Sequence, residues 1–166
     1  MKYVVWIFFI LLCSMLQSLL NNYLPAYLSP DMILLLVAYV AFFYTYYAAV
    51  ASIVLIAYAA SIFSAGSVWF FLFSYLSVFL LLLFLKKFFD RSQGAAIITI
   101  AAFTTLFYPL IVLVLTVLSN RGLLFPLALF TALKQVPVNM AFAYLLFKYL
   151  PSLSQRLKAG LISQKV

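Results

Sequence analysis

Lys134 lies inside an apolar run of residues 123–147, in the segment Thr131-Ala132-Leu133-Lys134-Gln135-Val136-Pro137-Val138-Asn139. A cation at the centre of a bilayer costs ~2.5–3.5 kcal/mol on insertion scales, so an intramembrane charge is a functional hypothesis by default. Thr131, Gln135 and Asn139 recur every fourth residue and share one helix face, with Lys134 beside it. Pro137 removes one backbone donor in the middle of the stripe. Three uses fit. Lys134 packs inward and bonds carbonyls freed near Pro126 or Pro109. Alternatively the stripe lines a small-molecule pocket, as in transporters with interrupted helices. In the third use, a partner's span packs on it. No acidic partner is expected within the bilayer to pair with Lys134 or relay protons, which argues against an ion-coupled pump.

The remaining chemistry is sparse. Of two acidic residues, Asp31 follows Ser29-Pro30 and precedes an apolar helix. Proline suits the first turn of a helix, and a carboxylate there meets the positive end of the helix dipole. Asp31 therefore reads as a cap at the membrane edge, or more sharply as a contact for a partner's outer domain. The chain has no histidine, carboxylate pair, metal-ligand cluster or glycine-rich phosphate loop. A serine–lysine dyad would use Lys134, but no spacing nominates the serine. The expectation is a non-enzyme without cofactor or metal. The lone Cys13 sits in the first apolar run and reads as a packing residue.

The elements that must carry these residues are membrane helices. The chain is 69% hydrophobic and 7% charged, with a mean hydropathy of +1.26. Soluble domains carry about 25% charge. From residue 32 to residue 85 there is no Lys, Arg, Asp or Glu. One span takes ~20 residues, so this stretch folds back on itself within the bilayer. Apolar runs without alternation argue against a β-barrel. The expected fold is an all-α integral membrane protein, a compact bundle of about six transmembrane helices over residues 3–20, 30–43, 48–63, 67–85, 95–118 and 123–147. The first is read as an uncleaved span. Pro109 kinks the fifth, and Pro126 and Pro137 interrupt the sixth. Helices two and three are short enough to form a re-entrant pair instead, leaving four full spans.

Residues 1–147 form the transmembrane domain, and 148–166 a basic tail. Leu153, Leu157 and Leu161 recur every fourth residue there, the pattern of an interfacial amphipathic helix. With the N-terminus inside, the inner segments hold Lys2, Lys86, Lys87, Arg91, Lys148, Arg156, Lys158 and Lys165, against Arg121 outside. Basic residues favour the cytoplasmic side, so both termini are expected there. The net charge of +8 thus serves topology and does not imply a nucleic-acid partner. Ala57, Ser61 and Ala65 form a small-residue face on helix three. Close approach through small residues drives helix packing in lipid. Helix three is therefore expected in the middle of the bundle.

The layout resembles the rod shape-determining protein MreD family. The segment Leu24-Pro25-Ala26-Tyr27-Leu28-Ser29-Pro30-Asp31-Met32-Ile33-Leu34-Leu35-Leu36 is similar to the Pro-Asp-Leu-Leu-Leu opening of that family's second span. Ala57, Ser61, Ser64 and Ala65 fall where the family has Gly-x-x-x-Asp-x-x-Ser-Gly, with serine in place of the aspartate and alanine in place of both glycines. The Lys-Lys-Phe-Phe-Asp-Arg loop and the proline-bearing last span with a basic tail also fit. The resemblance covers nearly the whole chain in size and order of elements. It implies a multi-pass scaffold of the bacterial cytoplasmic membrane, binding an MreC-like protein and coupling MreB indirectly to a RodA-like glycosyltransferase and its transpeptidase. It also implies the architecture of the substrate-binding component of energy-coupling-factor transporters. Vitamin binding by such a component is the alternative function. An outer pocket with convergent polar groups and aromatic rings would distinguish it, but of the outer loops only 21–29 is long enough for a lid.

Overall fold

The structure is a computed structural model that describes residues 2–64, 66–88, 94–118 and 125–162, with side chains for 5–64, 66–88, 98–117 and 129–149. Among the described residues six helices follow one another: α1 (Lys2–Tyr23), α2 (Met32–Phe43), α3 (Tyr46–Ser64), α4 (Val68–Leu85), α5 (Gly94–Leu118) and α6 (Phe125–Ile162). Among the described residues there is no strand. Five helices hold segments long and apolar enough to cross a membrane: Val5–Tyr23, Tyr46–Ser64, Val68–Leu85, Ile98–Val117 and Leu129–Tyr149. The chain is a multi-pass helical membrane protein. The turns expected after helices two and three fall at 44–45 and, among the described residues, at 66–67. Ala65 itself, residues 89–93 of the basic loop, the 119–122 turn with Arg121, and the side chains of the tail lie outside the described residues.

The centre of the bundle is α2, which corrects the expectation that helix three sits there. All ten residues 33–42 of α2 are buried, and the helix packs against α1, α3, α4, α5 and α6. Its sequence, Met-Ile-Leu-Leu-Leu-Val-Ala-Tyr-Val-Ala-Phe-Phe, has no polar face to turn outward. The small residues of α3 do pack inward, since Ala49, Ser52, Ala57, Ala60 and Ser61 are buried. Its other face, with Val54, Leu55, Tyr58 and Ile62, is exposed. Small residues allow close approach, but here they build the wall against α2.

Length sets α2 apart. Its 12 residues reach about 18 Å at ~1.5 Å per residue, well short of a ~30 Å hydrocarbon core. At 19 residues α3 is long enough to span by itself. Trp6, near the start of α1, stacks on Tyr44 just past the end of α2 and meets Tyr39 within it. The two helices are therefore antiparallel. Phe147 of α6 meets Tyr39 and Phe43 edge-on at the same end. The second crossing of the bundle is part loop, residues 24–31, and part helix.

Prolines bend the expected boundaries less than the sequence suggests. Pro109 lies inside an unbroken α5, and α6 runs as one helix through Pro126 and Pro137. It continues beyond Phe147 to Ile162.

Candidate functional site

A helix that begins inside a bundle leaves its first backbone donors without water, and each must find a partner. At the start of α2 the partners come from the cap itself, from α1 and from α6. Asp31 is the N-cap, and its Oδ1 accepts from the Leu34 N–H at 3.0 Å. The Met32 N–H donates to Gln17 Oε1 of α1 at 2.6 Å. The Asp31 N–H donates to Asn139 Oδ1 of α6 at 2.8 Å, and Asn139 Nδ2 donates to Thr105 Oγ1 of α5 at 2.9 Å. Gln135, one turn earlier on α6, donates to the Ser29 carbonyl. Asn21 Oδ1 accepts from both Gln17 Nε2 and Ser29 Oγ, at 3.0 and 2.7 Å. The Pro25 carbonyl accepts from the Leu28 and Ser29 N–H groups, so the loop enters the cluster already folded on itself.

Asn139 and Ser29 are 0% exposed, Thr105 2% and Gln17 8%. No buried side-chain nitrogen or oxygen among the described residues lacks a hydrogen-bond partner. The cluster is a satisfied polar junction of α1, α2, α5 and α6.

The other end of α2 is held by a cation. Lys86, just past α4, donates through Nζ to the Ala41 carbonyl at 2.8 Å, with its ammonium 5.9 Å from the Phe42 ring centre. The last carbonyls of a helix are its negative pole, so a lysine there is favourable.

The stripe expected on helix six divides. Gln135 and Asn139 reach the start of α2. Thr131, on the same face, is half-buried. Lys134 does not pack inward. It is exposed, with Nζ 4.3 Å from the centre of the Phe130 ring and 5.5 Å from that of Tyr27 in the 24–31 loop. A four-carbon stem lets a lysine run along an apolar surface and carry its charge toward the interface. Of the expected contact surface, Pro30, Ala57 and Ser61 are buried and Asp31 is half-buried. Ser61 Oγ donates a hydrogen bond to the Tyr58 carbonyl at 2.8 Å. Cys13 is buried, as a packing residue would be.

Sequence reasoning missed Gln17, Asn21 and Thr105, and the capping role of Lys86. Gln17 and Asn21 stand four apart at the end of an apolar run. Two amides on one face of a span are the signal that pointed to them, because amides in lipid seek partners.

Beside the junction lies a cavity of about 500 Å³. Asp31 and Ile33 line it below, Gln17 and Asn21 on α1, Ala60 on α3, and Tyr108 on α5, with Phe71 and Tyr75 of α4 closing the wall. The rings of Phe71, Tyr75 and Tyr108 form a stacked row, with centroids 5.9 and 6.0 Å apart. Asn22 and Ser64, near the ends of α1 and α3, border the cavity at the end of the bundle away from Lys86. Comparison with protein-family models, curated proteins and solved structures yields no match.

Proposed function

We propose that this chain is a non-enzymatic scaffold of the bacterial cell-wall elongation machinery, a divergent member of the MreD family in the cytoplasmic membrane. The observation that carries this reading is the role of the Pro30-Asp31 opening. The segment that bears the resemblance is also the point where side chains of α1 and α6 meet the start of α2. A motif at such a junction governs the shape of the whole bundle and hence the faces it offers to partners. In this reading the partners are an MreC-like protein and a RodA-like glycosyltransferase with its transpeptidase, and MreB is reached indirectly. Lys86, Lys87 and Lys148 lie toward one end of the bundle, which supports that end and both termini as cytoplasmic.

The cavity favours a second reading, the vitamin-binding component of an energy-coupling-factor transporter. It has the convergent polar groups and aromatic rings which that function needs. Its lid would have to come from the 24–31 loop, which is instead tied down by Gln135 and Asn21.

A pull-down of the tagged full chain from its native membrane in a gentle detergent separates the two, with proteins and small molecules both identified by mass. MreC-like and glycosyltransferase partners are the expected result. Transporter ATPases, in place of those partners, would overturn the scaffold reading.

A further inference from the structure

We infer that the cavity above Asp31 is a binding site for a ligand carrying an organic ammonium group. The inference stands on the cavity and needs neither reading of the assembly.

Three observations converge. First, Asp31 is the sole carboxylate among the described residues, and it lies on the cavity wall. One of its oxygens takes the Leu34 N–H, and among the described residues the other takes no hydrogen bond. Second, among the described residues no cation lines the cavity. Lys86 is committed to the far end of α2, and Lys134 lies over Phe130 and Tyr27. Among the described residues the lining offers carboxylate, amide and hydroxyl oxygens without a countercharge. Third, Phe71, Tyr75 and Tyr108 supply an aromatic wall. A carboxylate beside aromatic rings is the chemistry that recognises ammonium groups. The volume of about 500 Å³ falls within the ~300–1,000 Å³ typical of small-molecule sites.

The ammonium has two possible sources, a free amine or the headgroup of a lipid such as phosphatidylethanolamine. The test uses the purified full chain in neutral maltoside micelles. Thermal unfolding is followed with 2-phenylethylamine, with its uncharged counterpart 2-phenylethanol, and with added phosphatidylethanolamine or phosphatidylglycerol. The expected result is stabilisation by the amine, by phosphatidylethanolamine, or by both, and none by the alcohol or phosphatidylglycerol. Stabilisation by the amine alone assigns a free ligand, and by phosphatidylethanolamine alone a lipid.

Asp31→Asn keeps a side-chain oxygen for the Leu34 cap and should weaken the response at least tenfold in ligand concentration. Ser64→Trp, at the exposed end of α3, should block the cavity without touching the junction, and decides the matter if Asp31→Asn does not fold. Equal responses to amine and alcohol, no response to either ammonium compound, or an undiminished response in Ser64→Trp or a folded Asp31→Asn would overturn the inference.

Discussion

Replacing Asn139 with leucine should cost this protein about 2–4 kcal/mol of stability. The side chain is fully buried and makes two hydrogen bonds, one to the backbone of Asp31 and one to Thr105. Leucine has the same branching and the same number of side-chain heavy atoms, so the loss is polar rather than a matter of empty space. Hydrogen bonds between membrane helices average ~0.6 kcal/mol and reach ~1.7, so the pair accounts for about 1.2 kcal/mol. The Asp31 N–H is then left inside the bundle without its acceptor, which adds about 1–3 kcal/mol. Thr105 fares better, because its hydroxyl keeps its bond to the Ala101 carbonyl at 2.8 Å when Asn139 is lost. Thr105→Val removes the Asn139 contact without orphaning a backbone group, so it should cost about 0.6–1.7 kcal/mol. The double variant should cost little more than Asn139→Leu alone, since the bond that Thr105→Val removes is already gone. Reversible unfolding in mixed micelles, followed by far-ultraviolet circular dichroism, measures all three. An Asn139→Leu variant within about 0.5 kcal/mol of the parent would refute the claim that this network holds the start of α2.

Two further substitutions test the other charged contacts. Lys86→Met keeps the apolar stem near Phe42 but leaves the Ala41 carbonyl without its cation. A loss of about 1–2 kcal/mol is expected, with partial recovery in Lys86→Arg; the same unfolding assay would contradict the capping role if Lys86→Met matched the parent. Lys134→Leu should change stability by no more than about 0.5 kcal/mol, because the side chain lies on an exposed face. A loss well above ~1 kcal/mol would mean that Lys134 secures something within the bundle.

What could be read from the sequence was local. Ser29-Pro30-Asp31 announced a capped helix, and the cap spans only three residues, from Asp31 to Leu34. Gln135 and Asn139 were legible as one face, because four-residue spacing fixes a face in any helix. Their partners were not, since Gln135 reaches Ser29 and Asn139 reaches Asp31, contacts more than a hundred residues apart in the chain. The place of α2 was also hidden. Both α2 and α3 are apolar all round, and small residues such as Ala57 signal close approach without saying which helix is enclosed. Lys134 misled for a different reason. Its depth was judged from its backbone, whereas its ammonium lies over Phe130 and Tyr27.

The shortness of α2 is what gives Asp31 its position. A helix of ordinary span length would start at the membrane surface, with its cap in water. Here the cap N–H meets Asn139 of α6 and the next N–H meets Gln17 of α1, inside the bundle. Discontinuous helices also put their ends inside the bundle in transporters, where the termini bind ions and substrates. In this protein the two ends of α2 are fastened by unlike groups, side-chain amides at the start and the Lys86 ammonium at the finish. Fastening both ends prevents α2 from sliding toward either surface. The carboxylate of Asp31 is thereby held beside the cavity, where a group of opposite charge would meet it in surroundings of lower dielectric than water.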